Sequence, residues 1–238
     1  ASCLVGSEMC IRDRYKHLNV HGYWLIKDTK MSKSLGNVID PNKVCDEMGA
    51  DIIRLWVASV DTSSDVSIDH EILARTSDAY RRFRNTLRFL LANTSDFDAS
   101  KDLVPVDNLL ELDRWALAYT EKFQKEVLVE YGSFRFHNVV SMLQTFASAD
   151  LGSFYLDVLK DRLYTTAPDS AARRSAQTAL WYITKTLLRL MAPILSFTAE
   201  EAFKVFSPNE SETIFTERFE PLPEVAGAEA LLLSLIHI

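Results

Sequence analysis

Two lysines spaced three positions apart stand in one short polar stretch near the start of the chain. The stretch consists of Lys30, Met31, Ser32, Lys33 and Ser34, and it is followed by Leu35, Gly36 and Asn37. On a loop, this spacing lets both ammonium groups point at one polyanion, because a flexible lysine acts as a point charge on phosphate. A specified pentapeptide arises by chance in on the order of one in ten thousand chains of this length. The pattern therefore favours a phosphate-binding loop over a solvated basic turn.

The reaction that suits such a loop is attack of a carboxylate on the α-phosphorus of ATP. Negative charge grows on the departing pyrophosphate, and cations that meet this charge lower the barrier more than they tighten ground-state binding. We predict that Lys30 and Lys33 are catalytic and that the five residues Lys30–Ser34 contact the ATP phosphates. A mobile loop can also close over the nucleotide and later release the product.

The segments on either side of this loop predict a strand before it and helices after it. Residues 21–27 are aromatic and branched, which is typical of a short strand, and the polar loop follows from Lys30. Asp40 before Pro41 is an N-cap signal, so a helix is predicted to begin there and to pause at Gly49. A second helix is predicted from Ala50 to about Val60.

The rest of the chain has helical periodicity almost throughout. A long helix is predicted over residues 69–93, where Tyr80, Phe83, Leu87 and Leu90 form one apolar stripe. Further helices are predicted near residues 112–131, 135–151, 153–162 and 169–192, the last of which ends at Pro193. Thr198 and Glu201 are spaced as a capping box for one more helix. The whole predicts a mostly α protein, an antiparallel helical bundle joined to the edge of an α/β unit.

Four arginines on the long helix are candidates for RNA contact. They are Arg81, Arg82, Arg84 and Arg88. The guanidinium fork suits phosphate oxygens, but the same arginines are also consistent with a solvated helix face. Two readings also remain open for Lys160, Asp161 and Arg162, namely an ion pair inside the bundle or a contact with RNA. Trp56 is predicted to pack in the core.

Composition limits the kinds of function that the chain can have. The 238 residues carry a formal net charge of −7, which argues against a general polyanion binder because such binding needs clustered lysine and arginine. Any RNA contact must therefore come from a local basic face. No apolar run is long enough to span a bilayer. No histidines or cysteines have metal-ligand spacing, so no metal site is predicted.

Both ends of the sequence match translations of one DNA element. Residues 4–14 (LVGSEMCIRDR) correspond to the end of a transposase-type sequencing adapter, and residues 233–238 correspond to its reverse complement. We therefore expect residues 1–14 and the end of the tail 225–238 to be adapter-derived scars. They are excluded from the predictions of the fold. Without them Cys45 is the one remaining cysteine, which predicts no disulfide and a cytoplasmic location.

Five longer segments and the KMSKS stretch together resemble one enzyme family. The segments are MGADIIRLWVAS (48–59), YRRFRNTLRFLLAN (80–93), LDRWAL (112–117), FYLDVLKDRLYT (154–165) and RRSAQTALWYITKTLLRLMAPILSFTAEEAF (173–203). They are similar to class I aminoacyl-tRNA synthetases, and most of all to the isoleucyl members. The likeness extends over about residues 30–224.

This resemblance implies a fold and a division into domains. Residues 15–66 would be the C-terminal end of a Rossmann-type α/β catalytic domain with its connecting helices, and residues 67–224 the helical anticodon-binding domain. Residues 225–238 have no assignment beyond the scar. The nucleotide-binding first half, the HIGH signature and the zinc module of the family are absent from this sequence.

The resemblance also implies a reaction and partners. The parent protein would be a monomeric, cytoplasmic ligase that uses ATP with Mg²⁺ to activate isoleucine and transfers it to its tRNA. This chain would supply the phosphate loop and the binding of the anticodon stem, while ATP and isoleucine would need the missing catalytic half. We therefore expect the chain by itself to be inactive. The alternatives are a helical tRNA-binding module without catalysis, or part of a valyl, leucyl or methionyl synthetase.

One stretch departs from the isoleucyl pattern. The family has a glycine just before the KMSKS element, where this chain has Asp28 and Thr29, and residues 20–26 (VHGYWLI) are closer to the methionyl enzymes. A chimeric join near Thr29 is therefore a further hypothesis.

Overall fold

The structure is a computed structural model that describes residues 20–26, 29–208 and 212–236. The scar predicted at residues 1–14 lies outside the described residues, as does Asp28. The chain divides into two compact units. The first contains the described residues up to Val38 together with Asp61–Ile68, and the second contains Ile39–Val60 with Asp69–Ile238. Residues 39–60, which follow the loop in sequence, thus pack with the long helices.

The first unit is built on a small three-stranded sheet. Strand β1 (Trp24–Ile26) lies between β2 (Thr29–Lys30) and β3 (Val66–Ser67). The β1–β2 pair is antiparallel and the β1–β3 pair is parallel. The predicted strand is confirmed in its centre, but Lys30 was expected in the loop and instead ends β2, because its backbone pairs with Leu25.

The start of β1 lies very close to the segment that precedes β3. The Gly22 amide donates to the Thr62 carbonyl at 3.0 Å, and a Cβ atom at Gly22 would lie 2.4 Å from the Ser64 carbonyl oxygen. The Tyr23 amide donates to Asp65 Oδ1 at 2.7 Å. Only glycine fits such a close backbone approach without displacing its neighbour.

The second unit is helical. Its helices are α1 (Pro41–Met48), α2 (Ala50–Ser59), α3 (His70–Asn93), α4 (Ala99–Asp102), α5 (Glu111–Gly132), α6 (Phe136–Thr145), α7 (Leu156–Thr165), α8 (Ala171–Met191), α9 (Ser196–Phe206) and α10 (Ala228–Ile236). A π-helical segment, Phe146–Tyr155, joins α6 to α7. In the part of the chain that the structure describes, no helix combines the length and apolar character that crossing a membrane requires.

Local signals set the ends of the first helices as predicted. The Asp40 side chain accepts a hydrogen bond from the Asn42 amide, and Pro41 is the first residue of α1. Gly49 separates α1 from α2 with a φ of 94°, a value that L side chains rarely adopt. In α3, Asp69 caps the first turn through the Ile72 amide at 2.7 Å.

Helix α6, the π-helical segment and α7 form one continuous element, which contradicts the prediction of two helices with a break near Gly152. Gly152 lies inside the π-helical segment, where a Cβ would approach the Ala147 carbonyl oxygen to 3.1 Å. The apolar side chains on either side, Leu151 and Tyr155, are buried. Their burial outweighs the low helix propensity of one glycine, which is about 1 kcal/mol.

The capping box predicted at Thr198 and Glu201 is also wrong. Helix α9 begins at Ser196, so Thr198 lies inside the first turn. Its cap comes from another helix: the Asp51 carboxylate of α2 accepts hydrogen bonds from the Thr198 amide at 2.8 Å and from the Thr198 hydroxyl at 2.6 Å. Glu201 instead contacts Arg84. A tertiary contact has replaced the local motif.

The candidate phosphate loop and the arginine face of the long helix

The KMSKS stretch forms a tight turn after β2. Ser32 has extended backbone angles and precedes a single 3₁₀ turn, Lys33–Leu35. Gly36 ends this turn in the left-handed conformation with a φ of 66°, and its amide donates to the Lys33 carbonyl at 3.2 Å. The glycine is needed because a side chain at this φ would be strained.

The side chain of Asn37 closes the loop. Its Oδ1 accepts a hydrogen bond from the Ser32 amide at 2.8 Å, and its Nδ2 donates to the Lys30 carbonyl at 3.2 Å. The hydroxyls of Ser32 and Ser34 lie 2.7 Å apart and share a further hydrogen bond. The backbone that carries both lysines is thus fixed by one amide group and one hydroxyl pair.

The two lysines have different surroundings. The Lys30 ammonium lies over the Tyr23 ring, 3.7 Å from its centroid, whereas Lys33 is exposed at the start of the 3₁₀ turn. A pocket of about 250 Å³ adjoins Lys30. It is lined by His21, Gly22, Tyr23, Trp24, Lys30 and Met31. The loop therefore presents two cations, two hydroxyls and an aromatic pocket, which together can receive the phosphates of a nucleotide.

The four arginines of α3 differ in their contacts, and two of them already have carboxylate partners. Arg84 donates to Glu201 of α9 at 3.2 Å and to the Tyr80 hydroxyl at 3.1 Å. The hydrogen bond to Tyr80, with the nearby Glu201 charge, raises the pKa of Arg84. Arg81 pairs with Asp78 at 3.0 Å on the same helix. The side chain of Arg81 is 72% exposed and that of Arg84 is 47% exposed, but both already have carboxylate partners.

Arg82 and Arg88 differ from these two. Both are exposed, and within residues 20–26, 29–208 and 212–236 neither makes an ion pair. They are the members of the predicted set with free guanidinium groups in the described part of the chain.

The buried carboxylate of Asp113 decides between the two readings for Arg162. Arg162 donates to Asp113 Oδ2 at 2.8 Å, and the Tyr155 hydroxyl donates to Oδ1 at 2.8 Å. Ser175 of α8 donates to the same carboxylate. Arg162 therefore belongs to the bundle interior, while Lys160 forms a surface pair with Asp157 at 2.7 Å. Trp56 is 1% exposed and lies in the core, as predicted.

Sequence reasoning missed two residues of the loop site, Asn37 and Tyr23. Asn37 was seen only as a residue that follows the pentapeptide, although its amide carries both a donor and an acceptor, which a loop closure needs. Tyr23 was assigned only to the strand. The alternation expected along the predicted strand of residues 21–27 was the available signal, because it puts Tyr23 and Leu25 on one face and Trp24 on the other.

Two family models match the chain. Residues 113–237 match the anticodon-binding domain of tRNA ligase, and residues 1–69 match the class I tRNA synthetases for I, L, M and V. The second match includes the KMSKS loop and ends close to β3.

Curated relatives match over nearly the whole chain. Isoleucine–tRNA ligase 1 of Burkholderia mallei is 58% identical over 233 residues, which is 98% of this chain and 25% of the relative. The isoleucine–tRNA ligase of Burkholderia multivorans is 57% identical over the same share. This chain thus spans about a quarter of the length of the curated relatives it matches. A match of this length includes residues 15–29, for which a departure from the isoleucyl pattern was predicted.

Solved structures share the fold at low sequence identity. Methionyl-tRNA synthetase of Mycobacterium tuberculosis, in complex with methionyl-adenylate, has a TM-score of 0.64 and 17% identity over 87% of this chain and 43% of that one. The LeuRS–tRNA–LeuAMS ternary complex of Agrobacterium radiobacter has a TM-score of 0.59 and 20% identity over 89% of this chain and 24% of that one. With these matches, the chain belongs to the tRNA ligases, as a class I synthetase segment followed by the anticodon-binding domain of that family.

Proposed function

We propose that this chain is the part of an isoleucine–tRNA ligase that carries the ATP-phosphate loop and the tRNA-binding bundle. The observation that carries the proposal is the loop itself, in which Asn37 fixes the backbone under Lys30 and Lys33. The choice of isoleucine rests on the 58% identity to Burkholderia isoleucine–tRNA ligases. The whole ligase is proposed to act in the cytoplasm as a monomer.

In this proposal the loop acts during formation of the aminoacyl-adenylate. The carboxylate of isoleucine attacks the α-phosphorus of ATP, the bond to the bridging oxygen breaks, and pyrophosphate leaves with the electron pair. Lys30 and Lys33 neutralise the charge that grows on pyrophosphate, and the Ser32 and Ser34 hydroxyls offer hydrogen bonds to its oxygens. Mg²⁺ accompanies ATP as a counter-ion, and we assign it no protein ligand.

The bundle is proposed to hold the tRNA of the same amino acid through phosphate contacts. Arg82 and Arg88 are the first candidates because their guanidinium groups are exposed. Arg81 and Arg84 would have to exchange a carboxylate partner for a phosphate. Each phosphate contact that is lost should reduce the dependence of log Kd on log salt by about 1.

A hybrid enzyme tests the catalytic part of the proposal. Residues 15–224 of this chain replace the matching stretch of the Burkholderia mallei ligase, and isoleucine-dependent exchange of pyrophosphate into ATP is measured. The hybrid should be active, and Lys33→Ala should lower kcat by about a hundredfold, the effect of removing one preorganised charge-stabilising group. Lys43→Ala, an exposed lysine of α1, is the matched control. A Lys33→Ala hybrid with the same kcat as the unmodified hybrid would remove the basis of the proposal.

Assays of the isolated chain, compared with those of the hybrid, distinguish a part of a ligase from a simple RNA-binding module. We expect the isolated 238-residue chain to show no exchange activity with isoleucine, and to bind the tRNA with a salt-dependent Kd that weakens in the Arg82→Ala, Arg88→Ala double variant. If the isolated chain binds the tRNA but the hybrid has no exchange activity, the non-catalytic RNA-binding module is favoured.

A further inference from the structure

The contact between Lys30 and Tyr23 places one of the loop's two cations on an aromatic face. The ammonium nitrogen is 3.7 Å from the ring centroid, well inside the distance of about 6 Å at which a cation–π attraction operates. Tyr23 is 59% exposed, so the contact lies at the protein surface. Lys30 and Tyr23 thus meet on the surface of the first unit, beside the pocket.

The two partners differ in how firmly their backbones are held. Tyr23 is fixed on both sides of its own backbone: its amide donates to Asp65 at 2.7 Å, and its carbonyl accepts from the Val66 amide at 2.9 Å. Gly22 adds a hydrogen bond to Thr62 just before it. The Lys30 side chain, in contrast, reaches the ring through a flexible four-carbon stem. The Tyr23 backbone is held by these hydrogen bonds, and the Lys30 ammonium is the group that can leave the contact.

We propose that Tyr23 is a positioning residue that holds the Lys30 ammonium on its ring while no nucleotide is bound and releases it to the phosphates of ATP. This proposal rests on the proposed function, since it assigns a resting position to a lysine of the phosphate loop. The Lys30 ammonium cannot stay on the ring and also make its full contact with a phosphate. The ring and the nucleotide therefore compete for it. Lys33, for which the described residues offer no such ring, is available to the first phosphate that arrives.

The strength of the cation–π contact sets how much the ring should change KM for ATP. A cation–π contact at an exposed site corresponds to a factor of about two to five in equilibrium constant. The apparent affinity for a ligand falls by the fraction of the protein that is not in the competent state. Removing the ring should therefore lower KM for ATP about two- to fivefold and leave kcat within about twofold. A ring with a purely structural role would raise KM or lower kcat when removed.

The contact is tested first on the 238-residue chain by NMR of ¹³C-labelled lysine. Protons beside an aromatic face shift upfield, so the Lys30 ε-methylene signals should be shifted in the wild type and in Tyr23→Phe, and unshifted in Tyr23→Leu. Lys185, which lies over Trp181 at 5.1 Å, serves as an internal control that none of these variants should change. Unshifted Lys30 signals in the wild type would overturn the proposal.

Inorganic tripolyphosphate then tests the release. Added to the wild-type chain, it should return the Lys30 signals to unshifted positions without moving those of Lys185. Signals of Lys30 that stay upfield at every tripolyphosphate concentration would overturn the release step.

The kinetic test uses the hybrid ligase and separates this proposal from the function on which it rests. Tyr23→Leu should lower KM for ATP, and Tyr23→Phe should restore the wild-type value. An unchanged or raised KM in Tyr23→Leu would contradict competition by the ring. A hybrid that has no exchange activity even with Tyr23 intact would contradict the proposed function and also the release to ATP, while the NMR contact would stand as a structural feature alone.

Discussion

At the scale of single residues, the proposed phosphate loop depends on a side chain that bears no charge. Asn37 accepts from the Ser32 amide and donates to the Lys30 carbonyl, because its carboxamide has a separate acceptor and donor and carries no charge. The lysines would carry the chemistry, but Asn37 fixes the backbone from which they extend. Preorganisation of this kind matters because charge-stabilising groups must be in place before the reaction begins.

We predict that Asn37→Asp in the hybrid ligase lowers kcat of pyrophosphate exchange at least about tenfold. A carboxylate can still accept from Ser32, but it cannot donate to the Lys30 carbonyl and it brings a negative charge to a site for phosphates. Asn42→Asp makes the same change of charge at an exposed position outside the loop and should leave kcat nearly unchanged. Equal kcat values in the two variants would show that the closure by Asn37 is dispensable.

At the scale of elements, helix α9 is capped by a residue far away in sequence. The buried Asp51 carboxylate of α2 accepts from the Phe197 amide at 3.3 Å as well as from the Thr198 amide and hydroxyl. The Thr198 hydroxyl also lies 2.9 Å from the Tyr80 hydroxyl of α3, and Tyr80 accepts from Arg84. Three helices are therefore linked through one polar chain whose first member is the cap.

We predict that Asp51→Ala lowers the free energy of unfolding by about 2–3 kcal/mol, because it removes a cap and leaves buried donors without an acceptor. Urea denaturation followed by circular dichroism measures this change. Asp46→Ala, at an exposed position of α1, should change the unfolding free energy by less than about 0.5 kcal/mol. A similarly small effect for Asp51→Ala would mean that water or another acceptor replaces the cap.

At the scale of the second unit as a whole, one buried carboxylate connects four elements of the bundle. Asp113 of α5 has no exposed side-chain surface and receives hydrogen bonds from the π-helical segment, α7 and α8. Burial raises the pKa of Asp113 above its usual value, although Ser175, Arg162 and Tyr155 all stabilise the ionised form. A carboxylate in such a site is kept charged only by the donors around it.

We predict that Asp113→Ala lowers the free energy of unfolding by about 3–5 kcal/mol, since it strands the partly buried Arg162 guanidinium without its counter-ion. Tyr155→Phe removes one donor and should cost about 1–2 kcal/mol. Thermal and urea unfolding of the chain measure both values. The control is Lys160→Ala, which breaks an exposed pair worth about 0–1 kcal/mol. If Asp113→Ala were no worse than this control, the network would not connect the bundle energetically.

Local sequence was sufficient to predict structure where a residue type acts on the few residues next to it. Asp40 with Pro41 predicted the start of α1, Gly49 predicted its end, and the KMSKS stretch predicted the loop, because caps, glycine conformations and lysine charge act over a few residues. The apolar stripe of α3 likewise follows from periodicity alone. The family resemblance, confirmed by the matches to tRNA ligases, identified the class of protein.

The tertiary structure alone decided which partner each polar group takes. The same Thr198 and Glu201 that fit a local capping box are bound by Asp51 and Arg84, and Arg162 turns inward to Asp113. Gly152 continues a helix because the buried residues on either side of it gain more from packing than the glycine loses. A sequence gives the donors and acceptors that a chain has, but the choice among them depends on distances between residues far apart in the chain, which folding sets.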